Sequence, residues 1–205
     1  MDPFSELKQN FNKLCMDSFD EYIKKINDSS DRFETALKLC LAGNSIDVMQ
    51  GIKMNHGVLI KAIENALKQP LNKKVMEKLK SALQKSSNIL FIGDNAGEIV
   101  FDRLLIEQIL PKPVTLVVRG APAINDALQT DAKAAGLDKL VDIIDNGSDA
   151  PGTLLGNCSR EFLRCFATAD LIIAKGQGNY ETLCNEPRNI FFLFKIKCQV
   201  IARHI

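Results

Sequence analysis

The sequence predicts an α/β protein in which a parallel, Rossmann-like sheet is flanked by helices and preceded by an N-terminal helical subdomain. From residue 88 onward, short apolar runs alternate with helical patterns, the order that builds parallel sheets with right-handed crossovers. Before that point, apolar side chains recur only at helical spacing. We therefore expect a helical subdomain over residues 1–86 and an α/β domain over residues 87–205.

Four apolar stripes predict the helices of the first part. They lie over residues 4–23, 33–41, 58–67 and 75–83. The second stripe runs into Gly43 and Asn44, a pair that favours the end of a helix. These stripes are typical of core or cap packing rather than of a cofactor site.

Five strands and three helices are predicted in the second part. The strands are expected at 88–93, 114–118, 140–144, 170–174 and 190–195, and the helices near 97–109, 124–135 and 157–168. If the strands follow the common order 3-2-1-4-5, strands one and four are neighbours where the order reverses. Residues that follow strands one, two and four then meet at one edge of the sheet.

Polar side chains follow three of these strands. Asp94 and Asn95 end the first, Arg119 and then Asp126 follow the second, and Lys175 follows the fourth. A carboxylate beside an amide supplies hard oxygen donors, which suit Mg²⁺ or Mn²⁺. The sequence therefore predicts a metal, its ligands and a cationic phosphate-binding group at the same edge.

Each of these features also has a purely structural interpretation. Asp94 and the pair Asn125-Asp126 are good helix caps. Arg119 could pair with any carboxylate, and Glu98 suits the first turn of a helix because of the helix dipole. The segment 175–179 could be a plain glycine turn instead of an anion-binding loop. The polar loop at 145–152 has the composition of a turn.

The bulk composition excludes several classes of protein. A net charge of +1 with 25% charged residues gives no field that would attract nucleic acid or membranes. No apolar run is long enough to span a bilayer, and the start lacks the pattern of a signal peptide, so we expect a cytoplasmic protein. The six cysteines form no CxxC pair, which indicates reduced thiols. His56 and His204 have no partner pattern.

Three ordered motifs, at residues 93–102, 119–127 and 175–181, resemble the signatures of the metal-dependent damage-control phosphatases, a family formerly described as a domain of unknown function. A fourth segment, 42–47, is similar to a motif of that family's helical part. The resemblance covers nearly the whole chain and is strongest to the prokaryotic branch. Members of that branch usually begin with a Cys-rich segment, which is not found here, so the N-terminus is expected to be short.

The resemblance implies a metal-dependent phosphatase. A divalent cation, Mn²⁺ or Mg²⁺ with Co²⁺ or Ni²⁺ as alternatives, would be held by Asp94, Asn95 and Asp126. The implied substrates are small phosphomonoesters such as sugar phosphates or phosphopantetheine-like metabolites. Lys175 would contact the phosphate, and the expected substrate-side residues are Glu98, Arg119, Asn125, Lys175, Gly176 and Asn179.

Several alternatives stay open at this point. Asp94 is either a metal ligand only or a nucleophile that forms an aspartyl-phosphate, with Glu98 as the second acid. S-adenosylmethionine-dependent carboxyl methyltransferases also start with a strand that is followed by a glycine and a helix. These enzymes need no metal. The third alternative is a metabolite-binding module without catalysis. The sequence does not indicate the oligomeric state.

Overall fold

The computed structural model describes residues 2–45, 55–196 and 202–203. Within these ranges, helices precede an alternation of strands and helices, as the sequence predicts. The helices are α1 (Ser5–Met16), α2 (Phe19–Asn27), α3 (Arg32–Ser45), α4 (His56–Lys68), α5 (Lys73–Lys85), α6 (Glu98–Ile109), α7 (Gln129–Ala134), α8 (Arg160–Thr168) and α9 (Gln177–Leu183). The strands are β1 (Ile89–Ile92), β2 (Val114–Val118), β3 (Asp142–Asp145), β4 (Leu171–Lys175) and β5 (Ile190–Leu193).

The five strands form one parallel sheet in the order β3-β2-β1-β4-β5. This confirms the predicted order, in which the first strand lies between the second and the fourth. At the carboxyl end of β1, Ile92 lies opposite Val117 on one side and Ala174 on the other. Every residue of β1 and β4 is buried, because helices cover both faces of the sheet.

Alternate residues of β1 belong to two apolar cores. Ile89 and Phe91 lie in the larger core, which also contains buried side chains from α1 to α6. Leu90 and Ile92 lie in the smaller core, with Phe162 of α8. The larger core therefore includes side chains from both parts of the chain.

Helix α3 continues past the point where the sequence predicts its end. It runs through Gly43 and Asn44 to Ser45. A Cβ atom on Gly43 would lie 2.9 Å from Cδ2 of Phe101 on α6. This glycine therefore permits close helix packing and does not act as a stop signal. The first predicted helix is also divided, into α1 and α2.

The helix predicted at 124–135 is shorter, and one helix was not predicted. Helix α7 begins only at Gln129 because Ile124 has φ +48°, which is incompatible with a right-handed helix, and because Asp126 forms a β-bridge with Asn95. The glycine-rich segment after β4 is not an open loop, since α9 begins at Gln177.

Other predictions from the sequence concern thiols, histidines and membrane spans. The five cysteines within the described ranges are free. The segment 46–47, Cys198 and His204 lie outside those ranges. Among the described residues, no helix is long and apolar enough to cross a bilayer.

The start of α6 is held by α1. The backbone N–H of Gly97 donates to Oδ1 of Asn12 at 2.6 Å, so Asn12 satisfies an amide that the helix itself leaves unpaired. Asp94, which the sequence suggested as a cap, does not cap this helix. Gly97 has φ +74°, and a Cβ atom there would lie 2.0 Å from Cδ1 of Phe11.

Gly97→Ala should therefore destabilise the fold. We expect a loss of roughly 2–4 kcal/mol, from about 1 kcal/mol of left-handed backbone strain and about 1–3 kcal/mol of overpacking. Urea unfolding followed by circular dichroism measures it. The control is Gly156→Ala, where an added Cβ has nothing within 4 Å and the stability should stay within about 0.5 kcal/mol. Equal stability of the two variants would contradict this packing.

Candidate functional site

Backbone hydrogen bonds join the residues that follow β1 to those that follow β2 at the carboxyl edge of the sheet. Asn95 and Asp126 pair in an isolated antiparallel bridge. The N–H of Ala127 donates to the backbone oxygen of Asp94 at 2.8 Å, and the N–H of Ala96 donates to that of Asn125 at 2.9 Å. These backbone bonds bring the predicted cation ligands together although the sequence separates them by about thirty positions.

Each of the three predicted ligands has one oxygen that accepts no hydrogen bond from residues 2–45 or 55–196. Oδ2 of Asp94 accepts from Nδ2 of Asn95 at 2.8 Å, and Oδ2 of Asp126 accepts from Nε of Arg119 at 2.7 Å. The other carboxylate oxygen of each aspartate and Oδ1 of Asn95 make no hydrogen bond with the described part of the chain. Three hard oxygen donors therefore remain available.

Acidic side chains alone do not form this site. Across the described ranges, no group of three His, Cys, Asp or Glu side chains is placed to hold a metal ion. The predicted cation site would therefore need the Asn95 amide as its third donor. Such a mixed set, completed by water or substrate oxygens, is usual for small hard cations.

Two of these donors, Asp94 and Asp126, belong to a buried group of charged side chains that we call the inner cluster. It consists of Asp94, Glu98, Asp102, Asp126, Arg119 and Lys175. Burial raises the pKa of Asp94 well above its usual range, and the neighbouring Glu98 and Asp126 add to the shift. Burial also raises the pKa of Asp102 to about 6. When all are ionised, four carboxylates face two cations and leave two negative charges uncompensated, which matches one divalent cation.

Lys175 is at the site but buried beneath it. Its side chain has no exposed surface, and its ammonium group donates to Oε1 of Glu98 at 2.7 Å, to Oδ1 of Asp102, and to the backbone oxygen of Cys40 at 3.3 Å. All three N–H groups thus have acceptors. Burial lowers the pKa of Lys175, but the carboxylate of Asp102 and the other acids outweigh it and raise the pKa well above its usual range. A direct bond to phosphate would require one of these bonds to break, so the predicted phosphate contact stays a prediction.

Arg119 has a different arrangement. Its side chain is buried, its Nε donates to Asp126, and its Nη1 donates to the backbone oxygen of Gly152. Nη2 makes no hydrogen bond within the described ranges. Arg119 is therefore a fixed guanidinium that keeps free donors beside the candidate ligands.

Glu98 is occupied on both oxygens. Oε1 accepts from Lys175, and Oε2 accepts from Nδ2 of Asn95 at 3.1 Å and from Nδ2 of Asn44 at 3.2 Å. Asn44 also donates to Oδ2 of Asp94 at 3.4 Å. Asn44 was not predicted as a site residue, although it lies in the helical segment that resembles a family motif.

The remaining predicted substrate-side residues support the backbone of the site. Asn179 is fully buried, and its Nδ2 donates to the backbone oxygens of Lys175 at 2.7 Å and Gly93 at 3.2 Å. Gly176 has φ +81°, and a Cβ atom there would lie 2.0 Å from Oδ2 of Asp94. The Asn125 side chain is half-buried. Their predicted roles in substrate binding are not tested by these contacts.

The fold and the residues at its edge define a class, the damage-control phosphatases. The family model described as "Damage-control phosphatase ARMT1-like domain" matches residues 1–205, and the chain belongs to this family. The homologues named damage-control phosphatases support a phosphatase enzyme that acts in metabolite repair.

Three archaeal proteins and one solved structure are similar to the chain over its whole length. A damage-control phosphatase of Pyrococcus horikoshii is 40% identical and one of Archaeoglobus fulgidus 34% identical, each over 100% of this chain and 71% and 72% of their own lengths. An uncharacterised protein of Methanocaldococcus jannaschii is 38% identical over 100% of this chain and 70% of its own length. The crystal structure of a DUF89 family protein from Pyrococcus horikoshii has a TM-score of 0.86 at 39% identity, over 99% of this chain and 71% of that one.

Lys175→Met should destabilise the protein strongly. It leaves the buried carboxylates of Glu98 and Asp102 without their cation, and breaking a buried ion pair costs roughly 3–5 kcal/mol. The control is Lys80→Met, which removes a pair with Asp31 that is 35% and 39% exposed and should cost at most about 1 kcal/mol. Chemical unfolding measures both. A Lys175→Met protein as stable as the control would contradict the structural role.

Proposed function

We propose that the protein hydrolyses small phosphomonoesters with a divalent cation held by Asp94, Asn95 and Asp126. The observation that carries the proposal is a set of three oxygens on these residues that have no hydrogen-bond partner among the described residues. They lie beside a fixed guanidinium at the switch point of the sheet. The family is generally metal-dependent, which agrees with this donor set.

The residues present fit a hard cation such as Mn²⁺ or Mg²⁺, with Co²⁺ or Ni²⁺ as alternatives. They offer carboxylate and amide oxygens, and with all four carboxylates ionised the inner cluster carries two uncompensated negative charges. When bound, the cation would polarise the phosphoryl group and neutralise the charge that develops on its oxygens.

We propose that Arg119 binds the phosphate group of the substrate. Its Nη2 has no protein partner in the described ranges, whereas the ammonium group of Lys175 has three acceptors. Asp126 and the Gly152 carbonyl fix the guanidinium before a ligand arrives, so its free donors are preorganised for phosphate oxygens. Lys175 then acts through Glu98 and does not touch the phosphate.

Asp94 is a ligand rather than a nucleophile in this proposal. The aspartyl-phosphate route uses a second acid to move a proton, and Glu98 is the candidate nearby. Both oxygens of Glu98 already accept hydrogen bonds, and its side chain is 1% exposed. Neither of its oxygens is therefore without a hydrogen-bond partner, which makes Glu98 a poor candidate to exchange a proton with a water or a leaving group.

The proposed substrates are small phosphorylated metabolites such as sugar phosphates or phosphopantetheine-like compounds. The proposed location of the protein is the cytoplasm. The test is phosphate release from a panel of such phosphomonoesters by chelator-treated protein, with and without added Mn²⁺. Release that depends on the cation supports the proposal. Methyl transfer without metal, or tight binding without release, would replace it by one of the other two functions considered from the sequence.

Asp94→Ala should abolish Mn²⁺ binding and phosphate release while the fold remains, because the side chain follows the strand and lies outside both apolar cores. Calorimetric titration with Mn²⁺ measures binding. Asp149→Ala is the control, since this exposed carboxylate follows β3 at the same edge of the sheet. Wild-type affinity in the Asp94→Ala protein would rule out the assigned cation site.

Arg119→Lys should lower kcat/KM by at least about 100-fold, roughly 2.7 kcal/mol of transition-state stabilisation. Lysine keeps a charge beside Asp126 but loses the planar set of donors that reaches both Asp126 and a phosphate. Mn²⁺ affinity, measured by calorimetry, should change little. Unchanged kcat/KM in this variant would contradict the role of Arg119 and would favour Lys175 as the residue that contacts the phosphate.

Affinity for Mn²⁺ should rise with pH. Burial raises the pKa values of Asp94 and Asp126, so below these values a proton occupies a ligand and competes with the cation. Above them no proton is displaced, and the affinity should level off. Calorimetry from about pH 5 to about pH 8, in buffers of different ionisation enthalpy, also counts the protons released. A flat profile without proton release would contradict the raised pKa values.

A further inference from the structure

We propose that Glu98 is a positioning residue that sets the orientation of the Asn95 amide, so that its oxygen and not its nitrogen faces the bound cation. The inference rests on the proposed function. It assigns to Glu98 a task that is neither substrate binding nor proton transfer, the two roles expected from the sequence.

The hydrogen bonds of Asn95 carry the inference. Its Nδ2 donates to Oδ2 of Asp94 at 2.8 Å and to Oε2 of Glu98 at 3.1 Å, which uses both hydrogens of the amide. Its Oδ1 has no partner in the described ranges. An amide is nearly symmetric in shape, so its hydrogen-bond partners decide which end points where. In the reversed orientation, the amide oxygen would face two carboxylate oxygens and the NH₂ group would face the cation.

Glu98 is itself held so that it can impose this orientation. It is the first residue of α6, its side chain is 1% exposed, and Lys175 fixes Oε1 at 2.7 Å. Asn44 supports Oε2 from α3 at 3.2 Å. Three elements, α3, α6 and β4, thus converge on one carboxylate, and its Oε2 also accepts from Asn95.

The simpler interpretation is that Glu98 only neutralises Lys175. That task is already met, because Asp102 forms a second buried ion pair with the same ammonium group. A second buried carboxylate then adds an uncompensated negative charge, which destabilises the fold unless further hydrogen bonds satisfy it. The amides of Asn95 and Asn44 donate those hydrogen bonds to Oε2 of Glu98.

The test is a double-mutant cycle read by calorimetric Mn²⁺ titration of the chelator-treated full chain. Glu98→Gln should weaken Mn²⁺ binding by about 10- to 100-fold, the usual cost of losing a group that orients a ligand. Glu98→Asp keeps the charge but withdraws it from Asn95, and it should also weaken binding. Glu107→Gln is the control, since Glu107 lies on the same helix, pairs with Arg103 and should leave the affinity unchanged.

The second arm uses Asn95→Asp, which offers an oxygen in either orientation. In this background, Glu98→Gln should no longer weaken Mn²⁺ binding. An equal loss in both backgrounds, or wild-type affinity in Glu98→Asp, would show that Glu98 acts by charge alone and would overturn the inference. Failure of the proposed function is distinguishable, because the wild-type protein would then bind no Mn²⁺ or, with Mn²⁺ bound, would release no phosphate from the phosphomonoester panel. Circular dichroism spectra and thermal melting confirm that each variant is folded.

Discussion

The buried pairing of Lys175 with Glu98 and Asp102 is the interaction on which the site depends. It joins the end of β4 to the first turn of α6, and its third hydrogen bond, to the carbonyl of Cys40, joins both to α3. A lysine without solvent exposure is tolerated only where its charge is matched. These ion pairs hold the carboxyl edge of the sheet against α3 and α6. They therefore fix where Asp94 and Asn95 lie.

The sequence predicts most of the fold because the signals for strands are local. The apolar runs and their alternation with helices predict a parallel sheet, and the common strand order assumed for it is confirmed. The errors arise where a distant residue decides the local structure. Gly43 has the composition of a helix stop, but Phe101, remote in sequence, requires the absence of a side chain there. The turn at Ile124 depends on the bridge between Asn95 and Asp126, which no local pattern shows.

The candidate site was predictable to a similar degree. The switch-point rule correctly places Asp94, Asp126 and Lys175 at one edge, but it does not say which side chains are buried beneath that edge. A usable signal exists in α6, where Glu98 and Asp102 are four positions apart and so share one face, and where the other buried residues are all apolar. Two acids on a buried face require a cation, and Lys175 provides it. Asn12 gives no comparable signal, because its partners are a backbone amide and one aspartate on α7.

The contact of Asn12 with Gly97 has a consequence for how the chain can be divided. A fragment that begins at β1 would carry all three proposed cation ligands and the whole sheet. It would lack the acceptor for the Gly97 amide, the carbonyl of Cys40 below Lys175, and Asn44 beside Glu98. The helices before β1 therefore form an inner wall of the site. A chain shortened to the sheet domain would keep the ligands but lose the groups that position them.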